Sequence, residues 1–212
     1  MARAKICGLT TPETVQAALD GGAAYLGFNF FPPSPRAILP EAAAALAQAV
    51  RGKAQIVAVT VDPDDALLDH LARTLRPDLI QLHGEETAMR AAEVRARTGA
   101  EVIKVIPVSD VHDLDRAKAF DGAADQLMFD TKAPKDAALP GGNGVRFDWT
   151  LTQGRRFERP WFLAGGLDPW NVAEAISASG APLVDVSSGV ERGPGYKDPR
   201  LISAFLDAVR RA

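Results

Sequence analysis

The feature that most constrains the fold is an eightfold alternation of short apolar runs with Ala-rich segments. Most of the runs are continuously apolar, which is typical of parallel strands buried on both faces of a sheet. We therefore predict eight strands: Ala4–Cys7, Tyr25–Phe30, Gln55–Val61, Leu79–His83, Val102–Val108, Gln126–Asp130, Trp161–Ala164 and Leu183–Ser187.

The segments between these runs have helical spacing. Thr11 is a suitable N-cap, with Pro12 at the first helical position, and Gly99 is a suitable stop for the fourth helix. The stretch Asp148–Thr152 is long enough for a short helix only. The predicted helices are Pro12–Gly21, Glu41–Val50, Asp64–Leu75, Glu85–Thr98, Val111–Phe120, Pro169–Ala178 and Pro199–Arg211.

Eight strand–helix units in 212 residues leave about 26 residues per unit (212/8), which favours a closed (β/α)8 barrel. An open doubly wound sheet is the alternative, and it usually carries a Gly-rich phosphate fingerprint after the first strand. The sequence Cys7–Pro12 at that position is no such fingerprint. Because no linker or low-complexity tract divides the chain, we expect residues 1–212 to form one α/β barrel domain.

Composition excludes several classes of function. The formal net charge of −3 argues against nucleic-acid binding and against a polybasic membrane patch. The single cysteine, Cys7, excludes an internal disulfide and a Cys-based zinc cage. No apolar run reaches the ~20 residues of a membrane helix, and the N-terminus lacks the apolar region of a signal peptide. We expect a soluble, cytoplasmic protein.

Polar residues at the carboxyl ends of barrel strands are the candidates for chemistry, because active sites of this architecture lie there. Cys7 ends the first strand; it is either a small buried hydrophobe or, with a lowered pKa, a general base. Asp130 ends the sixth strand; it is a functional acid, a loop cap or a partner for Lys132. His83, at the end of the fourth strand, could bind a substrate or a neighbouring loop.

Two further charged positions are notable. Arg36 follows three prolines in the loop after the second strand, which would position its guanidinium to take a carboxylate bidentately; a solvated arginine is the alternative. Lys5 and Asp185 lie in the first and last strands, which are neighbours in a closed barrel, so we predict a structural pair in the interior. Asp185 is also a candidate for substrate binding.

The loops after strands seven and eight predict a phosphate site. Gly165 and Gly166 follow the seventh strand, and Ser187, Ser188 and Gly189 follow the eighth. Barrel enzymes commonly bind phosphate there through backbone N–H groups and a short extra helix, although paired glycines also make simple tight turns. Two loops are long, 31–40 and 131–147, and long loops on a compact scaffold are usually functional.

These residues together resemble the phosphoribosylanthranilate isomerase family, barrel enzymes of tryptophan biosynthesis. Each matching segment is weakly diagnostic alone, but they occur in the family's order and extend over essentially the whole chain. They are Lys5–Thr10, Gly27–Phe30, Ser34–Arg36, Gln81–Gly84, Phe129–Asp130, Gly141–Gly144 with Phe147–Trp149, Leu163–Leu167, Asp185–Glu191 and Lys197–Asp198.

The resemblance implies an Amadori rearrangement of N-(5′-phosphoribosyl)anthranilate, with Cys7 as general base and Asp130 as general acid. It also implies that Arg36 holds the anthranilate carboxylate and that the loops after strands seven and eight hold the phosphate. Neither a metal nor an organic cofactor is expected, and the protein would be a monomer or a homodimer. Asn143 and Pro33 depart from the small hydroxyl residue and the lysine that are usual in the family, which concerns loop contacts only.

Two alternatives stay open at this point. One is another phosphosugar barrel: a histidine-pathway isomerase has an aspartate where this chain has Cys7, and a pentose-phosphate epimerase normally needs a metal. The other is a non-catalytic barrel that binds a phosphoribosyl group. The presence of both Cys7 and Asp130 argues against it, because binding alone requires neither a base nor a proton donor.

Overall fold

The computed structural model describes residues 1–132 and 148–212. Eight parallel strands close into a barrel in chain order, and the last strand pairs with the first. The strands are β1 Arg3–Cys7, β2 Tyr25–Asn29, β3 Gln55–Thr60, β4 Leu79–Leu82, β5 Glu101–Val108, β6 Gln126–Thr131, β7 Trp161–Leu163 and β8 Leu183–Val186. The prediction of a closed (β/α)8 barrel is therefore confirmed.

Helices connect the strands around the outside of the barrel. In the described ranges, six α-helices are α1 Pro12–Asp20, α2 Pro40–Ala47, α3 Asp65–Thr74, α4 Ala88–Thr98, α5 Val172–Ser179 and α6 Pro199–Arg211. Three 3₁₀ helices are Asp113–Phe120, Trp149–Thr152 and Ser188–Val190. None of the helices in residues 1–132 or 148–212 combines the length and the apolar character that a membrane span requires.

Four of the predicted elements need correction. The predicted helix Glu41–Val50 ends at Ala47. The predicted helix Val111–Phe120 is a 3₁₀ helix, and its buried residues Leu114 and Ala117 have the three-residue spacing that this helix repeats. The predicted helix Pro169–Ala178 begins only at Val172, because the Asp168 carboxylate accepts hydrogen bonds from the backbone N–H groups of a preceding turn. The predicted helix Glu85–Thr98 begins at Ala88.

A short antiparallel hairpin after β8 was not predicted. It consists of β9 Glu191–Gly193 and β10 Tyr196–Lys197. Strands of three and two residues are too short to show a periodic pattern in the sequence. The hairpin extends from the carboxyl end of the barrel, so its side chains can reach the strand ends.

The core has two layers. A large apolar cluster lies between the barrel and its helices, and a smaller one fills the barrel interior with alternate strand residues, including Tyr25, Met128 and Phe162. The rings of Tyr25 and Phe162 pack edge to face with centroids 5.1 Å apart. On the same interior faces, toward the carboxyl ends, the strands carry Cys7 and Asp130. A packed floor thus supports polar side chains at the barrel mouth.

Candidate active site

Cys7 lies at the end of β1, and only 7% of the residue is exposed. The fully buried Lys5 precedes it by two positions on the same face of the strand. Gly27 on β2 leaves room for this lysine, since a Cβ there would come within 3.2 Å of Lys5 Nζ. Burial raises the pKa of the Cys7 thiol, while the positive charges of Lys5 and Lys197 act in the opposite direction. A general base here needs a lowered pKa; burial instead outweighs both cations, so the pKa of Cys7 is raised.

Lys5 forms the interior pair that the sequence predicts. Its Nζ donates a hydrogen bond to Asp185 Oδ1 at 2.7 Å. Burial alone would lower the pKa of Lys5, but the charges of Asp185 and Cys7 more than offset this effect, and the pKa is raised. Lys5 therefore stays a cation, neutralised by Asp185, directly beside the thiol.

Asp130 lies at the end of β6, three strands from β1 through β7 and β8. Its side chain is 10% exposed, so the carboxyl group is largely buried at the mouth of the barrel. The backbone N–H of Thr131 donates to Asp130 Oδ1 at 2.8 Å. The second oxygen, Oδ2, lies 3.3 Å from Nε2 of His83. One carboxyl oxygen is thus held by the backbone and the other faces an imidazole.

The contact between His83 and Asp130 is an arrangement that the sequence analysis missed. The sequence leaves two roles open for His83: binding a substrate or binding a neighbouring loop. The structure shows that β4 and β6, which flank β5 in the barrel, bring the two side chains together. The positions of the two residues in the sequence could have indicated this contact. Both residues end strands that are separated by one other strand, and both lie on interior faces of the barrel.

Arg36 is buried rather than solvated, with 6% of the residue exposed. Its Nε and Nη2 donate to the two carboxylate oxygens of Glu191 at 2.7 and 2.9 Å. This edge of the guanidinium is therefore occupied by protein. Nη1 donates to no acceptor in residues 1–132 or 148–212, so a bound carboxylate would meet Arg36 through Nη1 and the remaining N–H of Nη2. The predicted bidentate contact is geometrically possible only at that edge.

Glu191 joins Arg36 to a second buried cation. Lys197 on β10 donates to Glu191 Oε1 at 2.6 Å and to the carbonyl oxygen of Ser187 at 3.0 Å. Burial acts to raise the pKa of Glu191, but the hydrogen bonds and charges of Arg36 and Lys197 lower it below its ordinary value. Glu191 and Lys197 stand in segments of the family resemblance, yet the sequence analysis assigned them no role. A cleft of about 350 Å³ lies over this cluster, lined in part by Arg36, Ser188 and Glu191.

The loops after β7 and β8 have the geometry of an anion site. Gly165 and Gly166 take left-handed conformations, with φ of +87° and +65°. A Cβ at Gly189 would overlap the carbonyl oxygen of Leu167, so only glycine fits where these two loops meet. In the described part of the chain, the backbone N–H groups of Gly165, Gly166, Ser188 and Gly189 donate to no protein acceptor. The expected short extra helix is the 3₁₀ helix Ser188–Val190.

Part of the expected site lies outside the described residues. This applies to the Gly-rich segment Gly141–Gly144, including the departure at Asn143, and to Phe147. Within residues 1–132 and 148–212, no three histidine, cysteine, aspartate or glutamate side chains come together in a group that could hold a metal ion.

The closed barrel, the thiol and carboxyl group at its mouth, and two glycine loops with free N–H groups define a class: (β/α)8 barrels built to act on a phosphorylated small molecule. Comparison with known proteins identifies the family within this class. The family model described as "N-(5'phosphoribosyl)anthranilate (PRA) isomerase" matches residues 4–208. The chain belongs to this family.

Individual relatives agree with the family match. The N-(5'-phosphoribosyl)anthranilate isomerase of Caulobacter vibrioides is 67% identical over 210 residues, which cover 99% of this chain and 96% of the relative. The crystal structure of phosphoribosyl anthranilate isomerase from Thermotoga maritima superposes with a TM-score of 0.89 at 34% identity, with full coverage of both chains. A phosphoribosyl anthranilate isomerase in complex with reduced 1-(o-carboxyphenylamino)-1-deoxyribulose 5-phosphate has a TM-score of 0.84 at 32% identity, again with full coverage.

Proposed function

We propose that this chain catalyses the Amadori rearrangement of N-(5′-phosphoribosyl)anthranilate to 1-(2-carboxyphenylamino)-1-deoxyribulose 5-phosphate. One observation carries the proposal beyond family membership. A thiol, Cys7, and a carboxyl group, Asp130, both buried, stand at the carboxyl ends of β1 and β6 on the interior side of the barrel. This places a candidate base and a candidate acid around one mouth, where a sugar can lie between them.

The reaction divides between these two groups. Asp130 donates a proton to the ring oxygen of the sugar, the bond from C1 to that oxygen breaks, and a protonated Schiff base forms between C1 and the nitrogen. Cys7, as thiolate, then removes the proton from C2. The electrons of the C2–H bond form a C1–C2 double bond, and the electrons of the Schiff base return to nitrogen. The resulting enolamine tautomerises to the ketone, so hydrogen is redistributed within one molecule and no external oxidant or reductant is consumed.

The charge beside Cys7 assists the proton-abstraction step. The buried Lys5 cation beside Cys7 favours the thiolate, which partly opposes the effect of burial on the thiol pKa. Asp185 keeps Lys5 neutralised through Oδ1, and its Oδ2 makes no hydrogen bond with the described residues. We therefore assign Asp185 Oδ2 to a sugar hydroxyl group as an acceptor.

Substrate binding uses three further elements. The free N–H groups of Gly165, Gly166, Ser188 and Gly189 bind the phosphate. The unused edge of Arg36 binds the anthranilate carboxylate, and Glu191 holds the guanidinium in place. Ser187, whose hydroxyl donates to the carbonyl oxygen of Cys7, contributes to the β8 end of the site. His83 contacts Asp130, so its substrate role is secondary to that contact.

The test is a fluorescence assay of the purified protein on freshly prepared N-(5′-phosphoribosyl)anthranilate. Turnover is expected, and Cys7→Ala and Asp130→Asn should each lower kcat by roughly 10²–10⁴-fold, the usual contribution of general acid–base catalysis. Asp20→Asn, on the exposed end of α1, is a matched control for the carboxyl-to-amide change and should retain wild-type kcat. Turnover should also survive exhaustive chelation, as the proposed steps use no metal.

Two results would contradict the proposal. Tight binding of the substrate without turnover indicates the non-catalytic phosphoribosyl-binding barrel instead. A Cys7→Ala variant with wild-type kcat would show that Cys7 is a small buried hydrophobic residue and not the general base. We further propose that residues 1–212 act as one domain in the cytoplasm, without nucleic-acid partners. We also propose that the protein is a monomer or a homodimer, and light scattering of the purified protein tests this oligomeric state.

A further inference from the structure

A polar group deep in the barrel has no role in the reaction described above. The side chain of Gln81 on β4 is 1% exposed, and its Oε1 finds no hydrogen-bond partner among the described residues. A buried amide oxygen without a partner is destabilising, so a group in this position calls for an explanation. Its other end supplies one: Gln81 Nε2 lies 3.3 Å from Nδ1 of His83.

Gln81, His83 and Asp130 form a chain of contacts from the interior to the mouth. An amide nitrogen can only donate, so the Gln81 orientation requires Nδ1 of His83 to accept. A neutral imidazole that accepts at Nδ1 carries its proton on Nε2. That nitrogen is the one that lies 3.3 Å from Asp130 Oδ2. Contacts of this kind between catalytic groups often tighten when substrate binds.

The backbone that carries His83 is firmly held. The His83 N–H donates to the carbonyl oxygen of Thr60 at 2.9 Å. Just beyond it, the buried Lys104 donates to the carbonyl oxygen of Gly84 at 2.7 Å and to the Glu86 carboxylate at 2.6 Å. Glu86 in turn accepts from the N–H of Gly84. These bonds connect β3, β4 and β5, so the backbone from which the imidazole extends toward Asp130 is fixed.

We infer that His83 is the positioning residue of Asp130, and that Gln81 selects the Nε2–H tautomer through which His83 holds the Asp130 carboxyl group. The inference rests on the proposed function only in taking Asp130 as the general acid. His83 orients Oδ2 while the backbone of Thr131 holds Oδ1. The carboxyl group then presents its proton to the sugar ring in a fixed direction. Fixing the orientation of a reacting group in this way accelerates a reaction.

The first test is spectroscopic and independent of activity. Long-range ¹H–¹⁵N NMR distinguishes the two neutral tautomers and the imidazolium, and the chain has 3 histidines. Variants His70→Gln, at a partly buried position, and His112→Gln, at an exposed one, assign the other two signals. We expect neutral His83 as the Nε2–H tautomer in the wild type, and a shift toward Nδ1–H or imidazolium in Gln81→Glu, where a carboxylate faces Nδ1. An Nδ1–H tautomer or an imidazolium in the wild type would overturn the inference.

The second test is kinetic. His83→Leu should lower kcat by roughly 10- to 100-fold with KM nearly unchanged, because it removes the positioning contact and leaves substrate contacts intact. His83→Gln, which keeps an N–H donor, should recover part of the loss. In the Asp130→Asn background, His83→Leu should have little further effect, since both changes act on the same group.

The outcomes separate the two proposals. A raised KM with wild-type kcat in His83→Leu would overturn the positioning role in favour of direct substrate binding. If His83→Leu does not fold, the tautomer in the wild type and in Gln81→Glu still decides the inference. If the wild type shows no turnover, the proposed function fails, while the NMR result still reports whether Gln81 sets the tautomer of His83.

Discussion

Replacing Glu191 with glutamine removes the anion from a buried cluster of charges. The Glu191 side chain is 4% exposed, and those of Arg36 and Lys197 are 7% and 1% exposed. Its two oxygens accept two hydrogen bonds from Arg36 and one from Lys197, at 2.6–2.9 Å. In Glu191→Gln, one of these acceptors becomes an N–H donor that faces a cation, and two buried cations lose their neutralising charge.

The expected cost follows from this geometry. Removing one partner of a buried ion pair costs about 3–5 kcal/mol, because the remaining charge is left desolvated and unpaired. For a chain of this length, each kcal/mol lowers the melting temperature Tm by about 2–4 °C, so Glu191→Gln should lower Tm by about 6–20 °C. Adding Lys197→Met to Glu191→Gln should recover part of this loss, since one of the two unpaired cations is then absent.

Thermal unfolding followed by circular dichroism at neutral pH measures the effect. Glu158→Gln is a matched control, since Glu158 is exposed and should leave Tm within about 2 °C. Because the folded-state pKa of Glu191 is depressed below its ordinary value of 4.5, its contribution is complete above that pH and is lost as pH falls through the folded pKa. The Tm difference should therefore shrink in acid. A Tm of Glu191→Gln within 2 °C of the wild type at neutral pH would refute this reasoning.

Three more changes probe the site and the scaffold. Cys7→Asp should keep measurable activity and move the lower limb of the pH–rate profile to more acidic pH, because burial raises the pKa of the thiol whereas a carboxyl group ionises near 4; an unmoved limb would exclude Cys7 as base. Gly165→Ala should raise KM roughly tenfold, since its φ of +87° and the overlap with the Thr131 hydroxyl displace the phosphate loop. Gly180→Ala, with φ of +69° but open space, controls for backbone strain, and equal KM values in both variants would remove the assignment. Thr87→Ala removes the N-cap of α4 and should lower Tm by about 2–4 °C, and an unchanged Tm would show that this cap contributes no stability.

The local pattern of apolar and helical segments was sufficient to predict the barrel architecture. Continuous apolar runs mark strands buried on both faces, and their regular alternation with helical segments leaves few arrangements other than a closed barrel. Closure then makes β1 and β8 neighbours, so even the Lys5–Asp185 pair, 180 positions apart, follows from the sequence. The strand-end positions of Cys7 and Asp130 follow in the same way.

Other features depended on tertiary structure. The late start of α5 reflects side-chain hydrogen bonds in the turn before it, which periodicity does not encode. The residues that the functional side chains contact also depended on the tertiary structure. Arg36 pairs with Glu191, 155 positions away, because a loop and a hairpin, neither part of the barrel, fold toward each other.

The sequence alone therefore determined which strands form the barrel and which side chains stand at its mouth, because strand period and barrel closure are geometric rules that act on local pattern. Only the tertiary structure decided what those side chains touch. The contact of His83 with Asp130 and the cluster of Arg36, Glu191 and Lys197 depend on side-chain directions and loop paths. These settle only when the whole chain is packed, since each contact joins segments distant in sequence.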